Sequence, residues 1–136
     1  VGLGADNKLN AEVVRQAAGS LCKEIKALKT TEVFVHLDGV ASGKADLAEY
    51  TQALVEGLQL AGYVFDELKS GEKKNEVTNI HFASKAAKDK AVKDAFQQGT
   101  ILAACTNFAK RLGDLPGNYM TPTILAEETI KAAKGT

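Results

Sequence analysis

Residues 10–37 decide the fold, and they read NAEVVRQAAGSLCKEIKALKTTEVFVHL. Apolar residues recur at helical spacing through the first part, and Asn10 offers a side chain that caps a helix. We therefore predict an amphipathic helix over residues 10–29. Residues 32–37 are short, β-branched and aromatic, which is typical of a buried strand. A helix followed at once by a strand indicates an α/β unit.

The same kind of pattern predicts two more helices and a further strand. An apolar face beginning at Leu47 predicts a second helix that stops at Gly62. Residues 77–82 read as another strand, and residues 84–112 as a long helix with Gly113 as its left-handed cap. The alternation of strands and helices predicts an α/β layer fold with a mostly parallel sheet.

Three further segments refine this plan. Residues 1–3 look like the end of a strand, so part of the sheet is expected to be missing or to be supplied from elsewhere. Residues 63–65 are predicted to be a short extended piece, and residues 69–76 a polar, exposed loop. Gly99, in the middle of the long helix, costs about 1 kcal/mol relative to alanine, which predicts a close crossing with a neighbouring element.

Composition limits the classes of function. The 136 residues suffice for one domain with a core, and the 17 basic residues balance the 17 acidic ones. Neutral net charge argues mildly against a nucleic-acid partner. Apolar runs are too short for a membrane span, and residues 1–4 lack the basic leader of a signal peptide, so we expect a cytoplasmic protein. Cys22 and Cys105 are predicted to be reduced thiols in the core.

Candidate catalytic groups are few and scattered. His36 and His81 are the two histidines, and His36 beside Asp38 near a strand end is too little for a metal site. No nucleophile motif of the G-x-S-x-G type occurs. Seven further carboxylates are expected to lie on solvated helix faces: Asp46, Glu49, Glu56, Asp89, Asp94, Glu127 and Glu128. We therefore predict no catalytic, cofactor-binding or metal-binding residue in this chain.

Two weaker patterns leave alternatives open. Gly2-Leu3-Gly4 begins like a phosphate-binding fingerprint, but a tight turn explains it better. The densest basic region consists of Lys73, Lys74, Lys85, Lys88, Lys90 and Lys93. A solvated helix face is the simpler interpretation, and contact with the phosphates of a nucleic-acid backbone is the more specific one.

The end of the chain reads as a junction between domains. Residues 107–128 are NFAKRLGDLPGNYMTPTILAEE and contain both prolines of the chain. A Pro-Gly turn follows the long helix, and Thr121-Pro122 is a favoured way to begin a new helix.

This junction resembles the leucyl aminopeptidase family of two-metal metallopeptidases, whose pattern is close to N-x-A-R-x-L-x-N-L-P-P-N-x-x-T-P-x-x-L-A-E-E. Lys110, Asp114 and Gly117 depart from it. The segment EGLQLAGYVFD, residues 56–66, and the start VGLG also resemble the family. The matching junction residues are Asn107, Ala109, Leu112, Leu115, Pro116, Asn118, Thr121, Pro122, Leu125, Ala126, Glu127 and Glu128.

The resemblance implies a three-layer αβα, macro-domain-like fold. Residues 1–113 would be part of the family's N-terminal α/β domain, and residues 114–136 the linker and the start of a connecting helix. The catalytic domain, with its signature N-T-D-A-E-G-R-L, is absent from this sequence. In the parent enzyme that domain would hold two divalent ions, zinc or manganese, which activate a bridging water.

The resemblance also implies partners. The parent would be a cytoplasmic hexamer that releases N-terminal residues from peptides, and this piece would serve assembly and access to the active site. DNA binding, as in some bacterial relatives, is the alternative function. A macro-like nucleotide pocket for ADP-ribose near residues 2–6 is a third.

Overall fold

A computed structural model describes residues 2–28, 30–38, 47–70 and 79–134. Predictions about Val1, Lys29, Asp46, and residues 71–78 with Lys73 and Lys74 fall outside these ranges. The elements are a 3-10 turn (Asp6–Lys8), α1 (Ala11–Leu28), β1 (Glu32–His36), α2 (Leu47–Gly62), β2 (Asn79–Ala83), α3 (Lys90–Asp114) and α4 (Pro122–Lys134). The predicted α/β order is confirmed.

Strands β1 and β2 form a parallel pair. Their register runs from Glu32 opposite Asn79 to His36 opposite Ala83. The Leu37 amide extends this ladder by donating to the Ala83 carbonyl at 2.9 Å. The parallel arrangement is as predicted. Among the described residues no strand forms at residues 2–3, so that prediction is wrong there. Residues 63–65 belong to neither a helix nor a strand, and their extended conformation stays a prediction.

One face of the sheet packs on the core. Asn10 caps α1 as predicted, because its Oδ1 accepts the Val13 amide at 3.0 Å. The core is made of Val14, Ala18, Cys22 and Ile25 from α1, Tyr50, Ala53, Leu54 and Leu58 from α2, and Leu37 after β1; Val33, Val35, Ile80 and Phe82 of the sheet pack against it. The alternate strand positions Phe34 and His81 point away and are exposed. The described helices therefore cover one face of the sheet.

Helix α2 lies between α1 and α3, and glycines make both crossings close. A Cβ at Gly57 would overlap the carbonyl oxygen of Arg15 and lie 2.7 Å from the Ala18 Cβ. A Cβ at Gly99 would lie 2.8 Å from the carbonyl oxygen of Gln52. The close crossing predicted from Gly99 is confirmed.

The long helix differs from its prediction at both ends. It starts at Lys90 rather than Ser84, because two consecutive turns, closed by the amides of Ala87 and Asp89, precede an extended Asp89. It ends at Asp114, with Gly113 inside it. Leu115 is extended and donates its amide to the Arg111 carbonyl at 3.2 Å, so a left-handed glycine is not needed.

The two cysteines lie in different environments. Cys22 is buried in the core as predicted, but Cys105 is exposed. The buried side of α3 carries Gly99 and Ala103. Cys105 follows Ala103 by two positions, roughly 200° around a helix, so it faces away from α2.

Candidate functional site

Both histidines are exposed on the sheet, His36 as the last residue of β1 and His81 in the middle of β2. His81 stacks on Phe34 with ring centroids 4.7 Å apart, and its Nε2 lies 3.6 Å from Glu32 Oε1 at the exposed side of the sheet. Asp38 is instead engaged by Ser84 Oγ at 2.6 Å and by the Lys85 amide. Those hydrogen bonds, the one from Ser84 first, hold the pKa of Asp38 below its ordinary value. Across the part of the chain that the structure describes, no three His, Cys, Asp or Glu side chains cluster as metal ligands.

Glu56 is buried, which corrects its predicted place on a solvated face. It accepts hydrogen bonds from Arg15 Nε and from Gln52 Nε2, each at 2.8 Å. Arg15 also contacts Glu12 on its own helix. Glu56 is drawn inside because α2 is covered on both sides by α1 and α3. The sequence gives a weak signal of this, since Glu56 immediately precedes the crossing glycine Gly57.

A cavity of about 350 Å³ opens at the carboxyl ends of β1 and β2. In parallel α/β sheets this edge is the usual location of ligand sites. Its lining is mostly apolar and includes Leu37, Thr51, Phe82, Val92 and Phe96, with Ser84 and Lys93 as polar members. The Thr51 hydroxyl already donates to the Leu47 carbonyl at 2.7 Å, so it is not aimed at a ligand.

The proposed nucleotide site at residues 2–6 has a different character. Leu3 lines a second cavity of about 180 Å³. Its other walls are the apolar side chains of Val14, Ala17, Ala18, Leu21, Val35 and Leu54, which supply no donor for a phosphate. Binding of ADP-ribose there stays a prediction.

The described lysines of the basic region are exposed. Lys85 and Lys88 lie in the turn before α3, and Lys90 and Lys93 in its first turn. Asp89 and Asp94 stand among them at exposed positions. The patch is therefore of mixed charge, which weakens its field on a nucleic acid.

The predicted junction forms a well-defined polar cluster. Arg111 of α3 reaches Glu67 with Nε at 2.5 Å and Glu128 of α4 with Nη1 at 3.1 Å. Glu128 also accepts from Lys131 at 2.9 Å. Lys131 first, and then Arg111, hold the pKa of Glu128 below its ordinary value of 4.5. Glu128 is thus half-buried and paired, which corrects its predicted place on a solvated face.

A second group of contacts joins the end of α3 to the end of α2. The Tyr63 hydroxyl donates to Asp114 Oδ2 at 2.8 Å. Partial burial and that hydrogen bond raise the pKa of Tyr63 to about 12. Lys110 lies over the Tyr63 ring, 5.5 Å from its centroid, and Asn107 Nδ2 donates to the Gln59 carbonyl at 3.1 Å.

The start of α4 follows its predicted pattern. The carbonyl of Pro116 accepts the amides of Tyr119 and Met120, which closes the turn after α3. Thr121 Oγ1 then accepts the Ile124 amide at 3.4 Å, and Pro122 is the first helical residue. The predicted N-cap is confirmed.

Comparisons with known proteins give a consistent result. A family model described as "Cytosol aminopeptidase family, N-terminal domain" matches residues 1–72. A probable cytosol aminopeptidase of Bdellovibrio bacteriovorus is 53% identical over 135 residues, which are 99% of this chain and 27% of that protein. One from Clostridium perfringens is 32% identical, over 94% of this chain and 26% of that protein. The chain thus spans about a quarter of the length of these relatives.

Solved structures share the fold. The bottromycin maturation enzyme BotP superimposes with a TM-score of 0.84 at 23% identity, covering 99% of this chain and 28% of that one. BotP in complex with Mn gives a TM-score of 0.82, also at 23% identity, covering 99% of this chain and 27% of that one. No helix among the described residues is long and apolar enough to cross a membrane.

Proposed function

The chain belongs to the cytosol aminopeptidase family, and from that premise we propose that it is the N-terminal, non-catalytic portion of a leucyl aminopeptidase. The parent releases N-terminal residues from peptides. The chain corresponds to about a quarter of its relatives' length, so the chemistry belongs to the remaining three quarters. Within the parent, this portion supports assembly and access to the active site.

The observation that carries this proposal is the way α4 is attached. No residue of α4 is buried against the described part of the chain, and the apolar side chains of Leu125 and Ile130 are about half exposed. A helix that fully buries none of its apolar residues is suited to packing against a further part of a protein. We therefore propose that α4 leads into the catalytic domain.

The metal chemistry is assigned to that other domain. No three of the described histidines, cysteines and carboxylates cluster as metal ligands, and the exposed His81–Glu32 pair does not fit a site for two divalent ions. BotP has been determined in complex with Mn, which supports a metal-dependent parent. Zinc or manganese would polarise the peptide carbonyl and activate water there. No step of that reaction is assigned to a residue of this chain.

The assembly and location of the parent are also proposals. A hexamer would place α/β portions of this kind around the catalytic domains, where they limit the approach of peptides. The absence of a long apolar helix in the described residues, together with the family's description as cytosolic, supports a cytoplasmic location.

Two measurements test the proposal: peptidase activity of the purified chain, and its association with the rest of the protein. The purified chain should not hydrolyse leucine p-nitroanilide, while the remainder of the full-length protein, co-expressed as a separate polypeptide, should copurify with it. Contaminating aminopeptidase is controlled by a mock purification from the same host. Hydrolysis that follows this chain, or failure of the two polypeptides to associate, would contradict the proposal.

DNA binding is the second candidate, and the exposed lysines around the start of α3 favour it. Contact with phosphates would give an affinity that falls steeply with salt. A gel-shift titration at low salt compares the wild type with a Lys85→Gln/Lys88→Gln variant. A wild-type shift that weakens in the variant and with added salt would support this candidate, and no shift at low salt would end it.

A further inference from the structure

Helix α4 is held to the rest of the chain mainly at one side. Its first turn is fixed by the Thr121 cap, and Ile124 and Glu128, one turn apart, are half-buried. The following residues up to Lys134 include Ile130, which is 55% exposed. Packing of apolar side chains therefore determines the direction of α4 only weakly. Polar contacts contribute more to the orientation of this helix.

Arg111 supplies a side-chain contact that reaches α4 from another helix. Its guanidinium uses one nitrogen, Nε, for Glu67 in the turn after α2, and another, Nη1, for Glu128 on α4. A planar guanidinium that bonds two carboxylates has a fixed orientation. The position of Glu67 thereby determines where the Glu128 carboxylate is held.

The neighbouring polar contacts serve a different purpose. Tyr63 with Asp114, Lys110 with the Leu60 carbonyl, and Asn107 with the Gln59 carbonyl all join α3 to the end of α2. They provide a fixed base under Arg111 without contacting α4. The Lys131–Glu128 pair lies within α4 itself and so cannot orient that helix.

We propose that Arg111 is an ion-pair clamp that sets the direction in which α4 leaves the α/β unit, with Glu67 fixing the guanidinium and Glu128 as the group that it holds. The three side chains are each between about one fifth and two fifths exposed. Ion pairs of that exposure are weak and are screened by salt, so the clamp is releasable. If α4 leads to the catalytic domain, a consequence that rests on the function proposed above, the clamp sets the placement of that domain.

Double electron–electron resonance measures the distance between two spin labels, and so reports the orientation of α4 directly on this chain. One label is attached to the exposed Cys105 on α3, and the other to a Lys134→Cys substitution at the end of α4. Mass spectrometry verifies that buried Cys22 stays unlabelled. The labelled protein that keeps Arg111, Glu67 and Glu128 should show one main distance between the labels.

Glu128→Gln removes the clamp and keeps the shape of the side chain. A pair of this kind shifts the ratio of held to released α4 by roughly two- to fivefold, so a second distance or a broader distribution is expected. Arg111→Gln should have the same effect. Salt of about 1 M, where screening acts within about 3 Å, should move the wild-type chain toward the variant distribution.

The matched control is Lys131→Gln, which removes the other partner of Glu128 but leaves the bridge to Arg111. It should keep the wild-type distances. Circular dichroism of each variant checks that α4 remains helical. Unchanged distances in Glu128→Gln, an equal change in Lys131→Gln, or loss of helix content in place of a change of direction would each overturn the clamp. None of these outcomes depends on peptidase activity.

Discussion

Individual charged residues take on roles that depend on what packs around them. Arg15 and Glu12 lie one turn apart on α1, and their contact is exposed. The same Arg15 also pairs with Glu56, whose side chain is 11% exposed between the helices. A buried carboxylate without a partner is costly, whereas an exposed pair contributes little.

Arg15→Leu should therefore destabilise the fold by about 3 kcal/mol, because it leaves the buried Glu56 carboxylate without its cation. Glu12→Gln is the matched control, since it removes the exposed partner of the same arginine, and should cost far less stability than Arg15→Leu. Urea denaturation followed by circular dichroism gives both values. Equal losses in the two variants would show that burial of Glu56 does not matter.

Asp38 links the end of β1 to the turn before α3, and its pKa gives a dependence on pH. Its hydrogen bonds from Ser84 and Lys85 lower the pKa below 3.8 in the folded state. A carboxyl whose pKa is lowered by folding contributes stability above its unfolded pKa, and this contribution disappears as pH falls through the folded pKa. Unfolding midpoints of the wild type should therefore fall more steeply below pH 3.8 than those of Asp38→Asn. Parallel curves for the two proteins would contradict this.

The helices differ in how many of their faces are covered by other elements. Helix α1 buries one stripe, whereas α2 buries a continuous run from Ala53 to Leu58 because it lies between α1 and α3. Such contact on two sides needs small residues where backbones approach, and Gly57 supplies one. Gly19 on α1 is different, since its nearest neighbour, the Ala61 Cβ, would lie 3.8 Å from an added methyl.

Gly57→Ala should destabilise the chain by about 2 kcal/mol, because the new methyl overlaps the backbone of α1. Gly19→Ala, the control, should stabilise it by roughly 0.5 kcal/mol or more, because alanine favours a helix interior and its methyl makes only an ordinary van der Waals contact with Ala61. Thermal and urea unfolding of both variants measure the change in the free energy of unfolding, which should have opposite signs in the two variants. A stabilising Gly57→Ala would mean that the α1–α2 crossing is wider than the structure shows.

In the part of the chain that the structure describes, the sheet has one packed face and one exposed face. The described helices cover the face of the sheet that carries Val33, while the opposite face carries Phe34, which is 66% exposed, stacked on His81. An α/β sheet of parallel strands is normally covered on both faces. The three-layer arrangement implied by the family resemblance would require a further layer over Phe34 and His81, which the described helices do not supply.

Phe34→Thr should reduce self-association of the purified chain, because it removes a large, two-thirds exposed apolar side chain from the exposed face of the sheet. The unfolding midpoint should change little, since Phe34 is two-thirds exposed and threonine suits a strand. Val33→Thr, on the same strand but facing the core, should lower stability without reducing association. Sedimentation velocity over a range of concentrations measures association, and identical profiles for wild type and Phe34→Thr would contradict the prediction.

The sequence by itself determined the order of elements, the caps at Asn10 and Thr121, the parallel α/β class and the family. These features depend on periodicity, on local hydrogen bonding and on short motifs, all of which lie within a few consecutive residues. Only the tertiary structure decided that Glu56 is buried, that Cys105 is exposed and that Arg111 joins α3 to α4. Each of these depends on which helix passes beside another, and residues far apart in the chain set that geometry.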